Sequence, residues 1–238
     1  MGKRVVFVTG DKGGVGKSFS SRLLIEWYEE RGVKVSAFDT DKANSTLYRF
    51  FEKSEIQGLS LNQLDIDDPI ALDEFLEKIA EAKDDEVFLV DCAARTLDRL
   101  VTWIREVDFL NLAQELDLKV TLAFVLGTEK DCVAILRDTL ESFGEAVEYV
   151  VIKNQARGND FRVYEGSKAR ERLIESLGGT EISLPGLFVK TSIEVDRLSM
   201  PFSRAIGENA LGIADRSRLK TWRGNAFSVL NEAEARWV

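Results

Sequence analysis

Histidine is absent from this sequence, cysteine occurs twice and proline three times in 238 residues. The missing histidine removes Ser-His-Asp and Cys-His catalysis and most zinc chemistry, so a general base must be a carboxylate or a lysine. Two cysteines, Cys92 and Cys132, supply neither a disulfide framework nor a four-ligand zinc site. No apolar run approaches the roughly 18–20 residues of a membrane span. Val5–Val8, behind Lys3 and Arg4, is too short for the apolar region of a signal peptide. A cytoplasmic protein with no membrane attachment is expected. Positive charge is also scarce: 32 Lys and Arg stand against 41 Asp and Glu, a net charge of −9. That balance argues against holding nucleic acid through the overall field.

What is present is a globular composition, 45% hydrophobic and 31% charged, arranged as apolar runs alternating with helical patterns. Strands are expected at Lys3–Thr9, Val33–Phe38, Val87–Val90, Lys119–Leu126 and Val147–Lys153, with a short one at Glu181–Leu184. Helices are expected at Lys17–Arg31, Ala71–Ala82, Thr96–Leu116, Asp131–Phe143 and Phe161–Leu177. Gly32 is placed to end the first helix. A last helix, Asp215–Trp237, has Asp215 as its expected cap and an apolar stripe of Leu219, Trp222, Ala226, Leu230 and Ala233. Residues 52–68 show no clear period. Strands that are apolar throughout and separated by helices imply an α/β fold: a mostly parallel sheet covered by helices on both faces. No repeat, low-complexity tract or linker divides residues 1–238, so one domain is expected.

Gly10–Ser18 reads GDKGGVGKS between the first strand and the first helix. That is the setting a phosphate-binding P-loop requires. Gly13, Gly14 and Gly16 let the backbone turn tightly and aim N–H groups at phosphate oxygens. The helix start adds partial positive charge. Lys17 is placed to reach the β- and γ-phosphates of ATP, and the Ser18 hydroxyl to bind Mg²⁺. Gly13, Gly14, Val15, Gly16, Lys17, Ser18 and Phe19 form the expected nucleotide-contact run. The loop holds a second lysine, Lys12, too early to cradle the same phosphates. Read on its own it is a solvated surface residue.

KGGVGKS resembles the deviant Walker A spelling of the ParA/MinD family of P-loop ATPases. The resemblance implies that Lys12 crosses a dimer interface to the phosphates of the other subunit, making an ATP-dependent homodimer. The second strand ends in Asp39-Thr40-Asp41, which resembles the family's D-x-D. By resemblance Asp41 positions the attacking water and Asp39 lies on the magnesium side; otherwise the pair are strand-end turn residues. The spelling DTDKANST is closer to the TraL-like branch of conjugal transfer, which typically has proline where Lys42 stands. Asp91 follows four apolar residues as a Walker B aspartate and would hold Mg²⁺ through water; the bland alternative is a turn cap. Ala94 stands where the family commonly has glycine, and Arg95 follows. Asn154 is similar to the family's adenine-reading asparagine, the alternative being a turn residue. Leu184-Pro185 resembles the segment that packs on the base.

The implied function is a slow, Mg²⁺-dependent ATPase switch in plasmid transfer, partition or cargo positioning, stimulated by a protein partner. Relatives on this scaffold include ATP-dependent synthetases of the dethiobiotin or cobyrinate kind, and Lys12 argues against those. A nitrogenase-iron-protein-like electron carrier would need two suitably placed cysteines, and neither cysteine has that family's flanking glycines. A MinD-like basic membrane helix is not expected in Ala226–Val238, where Glu232 and Glu234 oppose Arg236. Arg216, Arg218, Lys220 and Arg223 form the densest basic cluster. They leave two readings: a solvated helix face or non-specific DNA binding.

Overall fold

The expected parallel sheet forms around the strands that read apolar throughout. The computed structural model describes residues 2–10, 12–82 and 85–238. Seven strands pair: β1 (Arg4–Thr9), β2 (Lys34–Asp39), β3 (Leu59–Gln63), β4 (Glu86–Asp91), β5 (Lys119–Leu126), β6 (Glu148–Asn154) and β7 (Thr180–Leu184). Their order is β3-β2-β4-β1-β5-β6-β7, and every pairing is parallel. Every residue of β1 and β4 is buried, which explains why Val5–Val8 and Val87–Val90 carry no polar face. Each such side chain contributes about 1.5–3 kcal/mol by leaving water.

The chain leaves β1 toward β2 on one side and passes from β4 to β5 on the other. The crevice at the carboxyl ends of β1 and its neighbours is therefore a topological switch point, where α/β sheets bind ligands. Register aligns the functional strand ends: Asp39 pairs with Asp91, Val8 with Asp91, and Asn154 with Leu184.

Helices α1 (Lys17–Glu30), α2 (Thr46–Phe51), α3 (Pro69–Glu81), α4 (Leu97–Glu106), α5 (Phe109–Glu115) and α6 (Lys130–Phe143) connect the first six strands. Gly32 stops α1 with φ 65°. Asp68 caps α3 by accepting from the Ile70 amide at 3.0 Å, with Pro69 at the first helical position. The expected helix over Thr96–Leu116 is two helices, because Asp108 between them takes a left-handed φ of 52°. Phe161–Leu177 likewise divides into α7 (Arg162–Glu165), α8 (Lys168–Glu171) and a π-helical stretch at Arg172–Ser176, with Gly166 at the first break. The unperiodic segment holds the edge strand β3, only partly buried, so no apolar alternation marked it.

Beyond β7 come α9 (Val189–Leu198), α10 (Phe202–Gly207) and α11 (Ile213–Asn231). Asp215 is not the cap of α11; Gly212 holds that place. The Asp215 carboxylate instead accepts from Thr191 Oγ1 at 2.6 Å, tying α11 to α9. Glu26 of α1 is fully buried and accepts from the Phe202 and Ser203 amides and from Arg223. Tyr28 donates to the Trp237 carbonyl at 2.9 Å. Through these bonds the C-terminal segment is fixed to the helix that follows the phosphate loop.

Candidate functional site

The loop after β1 is shaped by glycines in conformations other residues avoid. Gly10 has φ 143°, and a Cβ there would lie 2.6 Å from the Val125 carbonyl oxygen. Gly16 has φ 103° and sits under the Asn154 side chain, leaving no room for a Cβ. Helix α1 then starts with no side-chain cap and no acidic residue in its first turn. Its leading N–H groups face the crevice without a built-in anion. Lys17 is buried, and its Nζ donates to the carbonyls of Gly10 at 2.7 Å and Lys12 at 3.1 Å.

Asp91 is buried beside this helix start. Ser21 donates to its Oδ1 at 2.9 Å. Burial pushes the Asp91 carboxyl up to about 7, and the neighbouring Asp39 charge adds to this; hydrogen bonds from Ser18 and Ser21 and the Lys17 charge act the other way. Asp39 is also buried and raised, chiefly by desolvation. Its two oxygens accept from the Asp41 amide at 3.0 Å and the Leu47 amide at 2.9 Å. Asp39 therefore anchors both the loop after β2 and the first turn of α2.

Asp41 accepts from the Ala43 and Asn44 amides through Oδ1. Between the two aspartates, Thr40 staples the loops after β2 and β4. Its hydroxyl donates to the Asp91 carbonyl at 3.0 Å and accepts from the Ala93 amide at 2.7 Å. Arg95, next to the missing glycine, adopts a left-handed φ of 64°.

Among the described residues no three acidic or cysteine side chains converge on one point. A magnesium ion held by few protein ligands and completed by water and phosphate oxygens fits such a donor set. Ser18 and Asp91 lie hydrogen-bonded side by side at the start of α1.

Lys12 does not float free. Its Nζ lies 3.1 Å from Glu129 Oε1 at the start of α6, a partner the sequence did not suggest. The Glu129 contact raises the Lys12 ammonium and holds the Glu129 carboxyl below its usual range.

Residues 6–184 match the CobQ/CobB/MinD/ParA nucleotide binding domain. The chain belongs to that family. It is 29% identical over 235 residues to protein MobD of Acidithiobacillus ferrooxidans, with 97% of each chain covered. Protein TraL of Escherichia coli is 25% identical over 246 residues, covering 97% of this chain and 98% of TraL. Among solved structures, the septum site-determining protein MinD of Pyrococcus horikoshii, complexed with Mg-ADP, superposes with a TM-score of 0.51. The match has 17% identity and covers 92% of this chain and 94% of that one. The expected P-loop NTPase fold of the ParA/MinD type, with likeness to TraL, is thus found.

Within this family fold, a cavity of about 390 Å³ opens beside the phosphate loop. Gly14, Gly16, Phe19 and Asn154 line it, as do Arg157, Leu187, Val189, Ser192 and Ile193, which the sequence did not single out. Phe19 packs edge-on against Phe202 and tilted against Trp222 at centroid distances of 5.4 and 5.3 Å. The Pro185 carbonyl accepts from Trp222 Nε1 at 2.7 Å, and Leu187 and Val189 further on supply apolar lining of the cavity. Gly13, Gly14, Val15, Gly127, Glu129 and Arg157 bound a second, smaller recess. Arg157 spans both spaces, its Nη2 lying 3.6 Å from where a Cβ on Gly14 would be.

The basic cluster on α11 does not form one surface. Arg223 turns inward to Glu26 at 3.2 Å and Glu30 at 3.1 Å. Arg218 pairs with Asp215 and covers the Phe188 ring while staying exposed, as Lys220 does; Arg216 is half-buried. Cys92 is buried and its thiol is pushed to about 12 by desolvation, as a small core residue would be. Among the described residues no helix is long and apolar enough to cross a membrane.

Proposed function

We propose that this chain is a Mg²⁺-dependent ATPase switch that dimerises on ATP, hydrolyses it slowly, and serves plasmid transfer with a protein partner. The observation that carries this reading is the pair of lysines in one loop. Lys17 points back into the loop, and Lys12 sits on its outer limb in a half-exposed ion pair. A cation in that place adds nothing to a site in its own chain that Lys17 already serves. It gains a purpose when a second copy brings another triphosphate to it. A small-molecule synthetase on the same scaffold would have no use for Lys12.

In the reaction, water held by Asp41 attacks the γ-phosphorus, and the bond to the β–γ bridging oxygen breaks to release ADP. Lys17 in the same chain and Lys12 of the opposite one balance the charge that develops on the phosphoryl oxygens. Bound Mg²⁺ would neutralise charge on the β- and γ-phosphates, held by Ser18 directly and by Asp91 through water. Asp39 keeps the Asp41 loop in place from the magnesium side. Binding of adenine and ribose is assigned to the cavity that Phe19, Leu187 and Val189 wall. Non-specific DNA binding falls to Arg218 and Lys220 as the exposed cations of α11.

Light scattering on the Asp41→Ala variant tests the reading. Mass should double with Mg-ATP, stay single with ADP, and fail to double when Lys12→Ala is added while ATP still binds. In an otherwise unaltered protein, Lys12→Ala should lower hydrolysis by about 10²–10³-fold, the size of losing one charge-stabilising donor. A mass indifferent to nucleotide would sink the switch.

A further inference from the structure

Arg22 of α1 is 4% exposed and lies beneath α2. Its guanidinium carbon is 3.2 Å from the centre of the Phe50 ring, 4.6 Å from that of Phe202 and 5.8 Å from that of Phe19. Rings attract the charge but offer no lone pair. Among the described residues, Nε and Nη2 of Arg22 find no hydrogen-bond partner. Glu26, one turn along α1, is committed to the Phe202 and Ser203 amides and to Arg223. Burial pulls the Arg22 guanidinium down to about 9, against the Glu26 and Asp196 charges. A buried charge left in this state is less stable than an apolar side chain of its size would be.

The strain falls on one short helix. Phe50 belongs to α2, and Arg49 of the same helix lies 4.6 Å from that ring's centre and pairs with Asp196 of α9 at 3.0 Å. Both members of that pair are exposed, so it holds α2 weakly. Ahead of α2, the Ala43 and Asn44 amides orient the Asp41 carboxylate, and the Ser45 hydroxyl donates to the Asp41 carbonyl at 3.1 Å. Asp39 holds the Leu47 amide in the first turn. A movement of α2 therefore re-aims Asp41.

We propose that Arg22 unsettles the inward seat of α2, so that this helix keeps a second, outward position and carries the Asp41 loop between a resting and a hydrolysing arrangement. This rests on the reading of Asp41 given above. In the inward seat α2 buries Leu47, Phe50 and Phe51, which holds it. The uncompensated guanidinium works against that burial and gains hydrogen bonds to water once Phe50 moves off it. The two seats are thereby closer in free energy than an apolar residue at position 22 would make them. That is the condition for a ligand to shift one to the other. Nucleotide bound on the Asp39 side supplies the shift, because Asp39 ties the first turn of α2 to the site.

Arg22→Met and Arg22→Lys, made in the full chain, test this. Arg22→Met removes the charge and keeps most of the bulk. Its melting temperature should rise by about 3–6 °C. Hydrogen exchange at the α2 amides, without nucleotide, should slow by about tenfold or more. Its kcat for ATP should fall by about tenfold with KM unchanged, because the hydrolysing arrangement becomes harder to reach. Arg22→Lys keeps a buried charge and should leave α2 exchange at or above the wild-type rate. A lower melting temperature or faster α2 exchange in Arg22→Met would mean that the arginine holds α2 down, and would overturn the proposal. So would a more stable Arg22→Met whose kcat equals the wild-type value, since the strain would then serve no movement. If the wild-type chain does not hydrolyse ATP, the function proposed above falls, while melting and exchange still decide whether Arg22 unsettles α2.

Discussion

The two ends of the sheet treat their buried charges in opposite ways. At the amino end of the strands, Arg4 is fully buried and donates to Thr121 Oγ1, to Glu148 and to the carbonyls of Ala235 and Val238. Arg236 pairs with the other Glu148 oxygen at 2.8 Å. Burial pushes the Glu148 carboxyl up, but the Arg4 hydrogen bond and the two arginine charges outweigh it and hold it below its usual range. At the carboxyl end, Asp91 and Asp39 lie in register with Lys17 as the nearby cation, and both are raised. One end is neutralised within the chain and holds the fold. The other is left short of positive charge, as a place that receives Mg²⁺ and phosphate would be.

Removing a partner from each end should expose that contrast. The largest effect is expected from Arg4→Ala, which leaves one buried-side oxygen of Glu148 and the carbonyls of Ala235 and Val238 without their arginine partner. It should lower stability in urea unfolding by about 3–5 kcal/mol. Asp91→Asn should move stability the other way, raising it by about 1–2 kcal/mol above pH 7, while abolishing Mg²⁺-dependent hydrolysis. The sign follows from the raised carboxyl. Its contribution is fully present below the ordinary aspartate value near 3.8 and is lost as pH rises through about 7. The gain from Asn should therefore vanish in acid, and a gain that persisted at pH 3 would contradict the account.

Glu148→Gln should have the smallest effect and sharpen the comparison by its pH profile. A lowered carboxyl stabilises above its unfolded value and loses that contribution as pH falls through its folded value. The substitution should cost about 1 kcal/mol at pH 7, within the range for a partly exposed charge-assisted bond. It should cost nothing once the carboxyl is protonated. Urea midpoints across pH 3–7 would measure this.

The phosphate loop was fully legible in the sequence because its chemistry is local. Glycines, Lys17 and Ser18 act within nine consecutive positions, and the backbone conformation they need is written in residue type. Asp39 and Asp91 were legible as strand ends for the same reason, with Asp41 two residues beyond the first. The cavity beside the phosphate loop was not. Leu187, Ser192 and Ile193 are ordinary residues until β7 and α9 bring them against Gly14 and Phe19. The break at Asp108 was hidden because an aspartate entering a left-handed turn leaves no mark on the apolar period. Arg223 read as one of four outward cations, although Glu26 and Glu30 turn it in.

By itself, then, the sequence determined the parallel α/β architecture, the phosphate loop and the absence of histidine chemistry, since each depends on residue type and short-range spacing. Tertiary structure alone decided which partner each charged or polar group takes. Lys12 found Glu129, Thr40 joined the loops of Asp39 and Asp91, and the Asn154 amide went to Val15. Those choices rest on distances between segments far apart in the chain, and a burial energy that spacing along one strand does not carry.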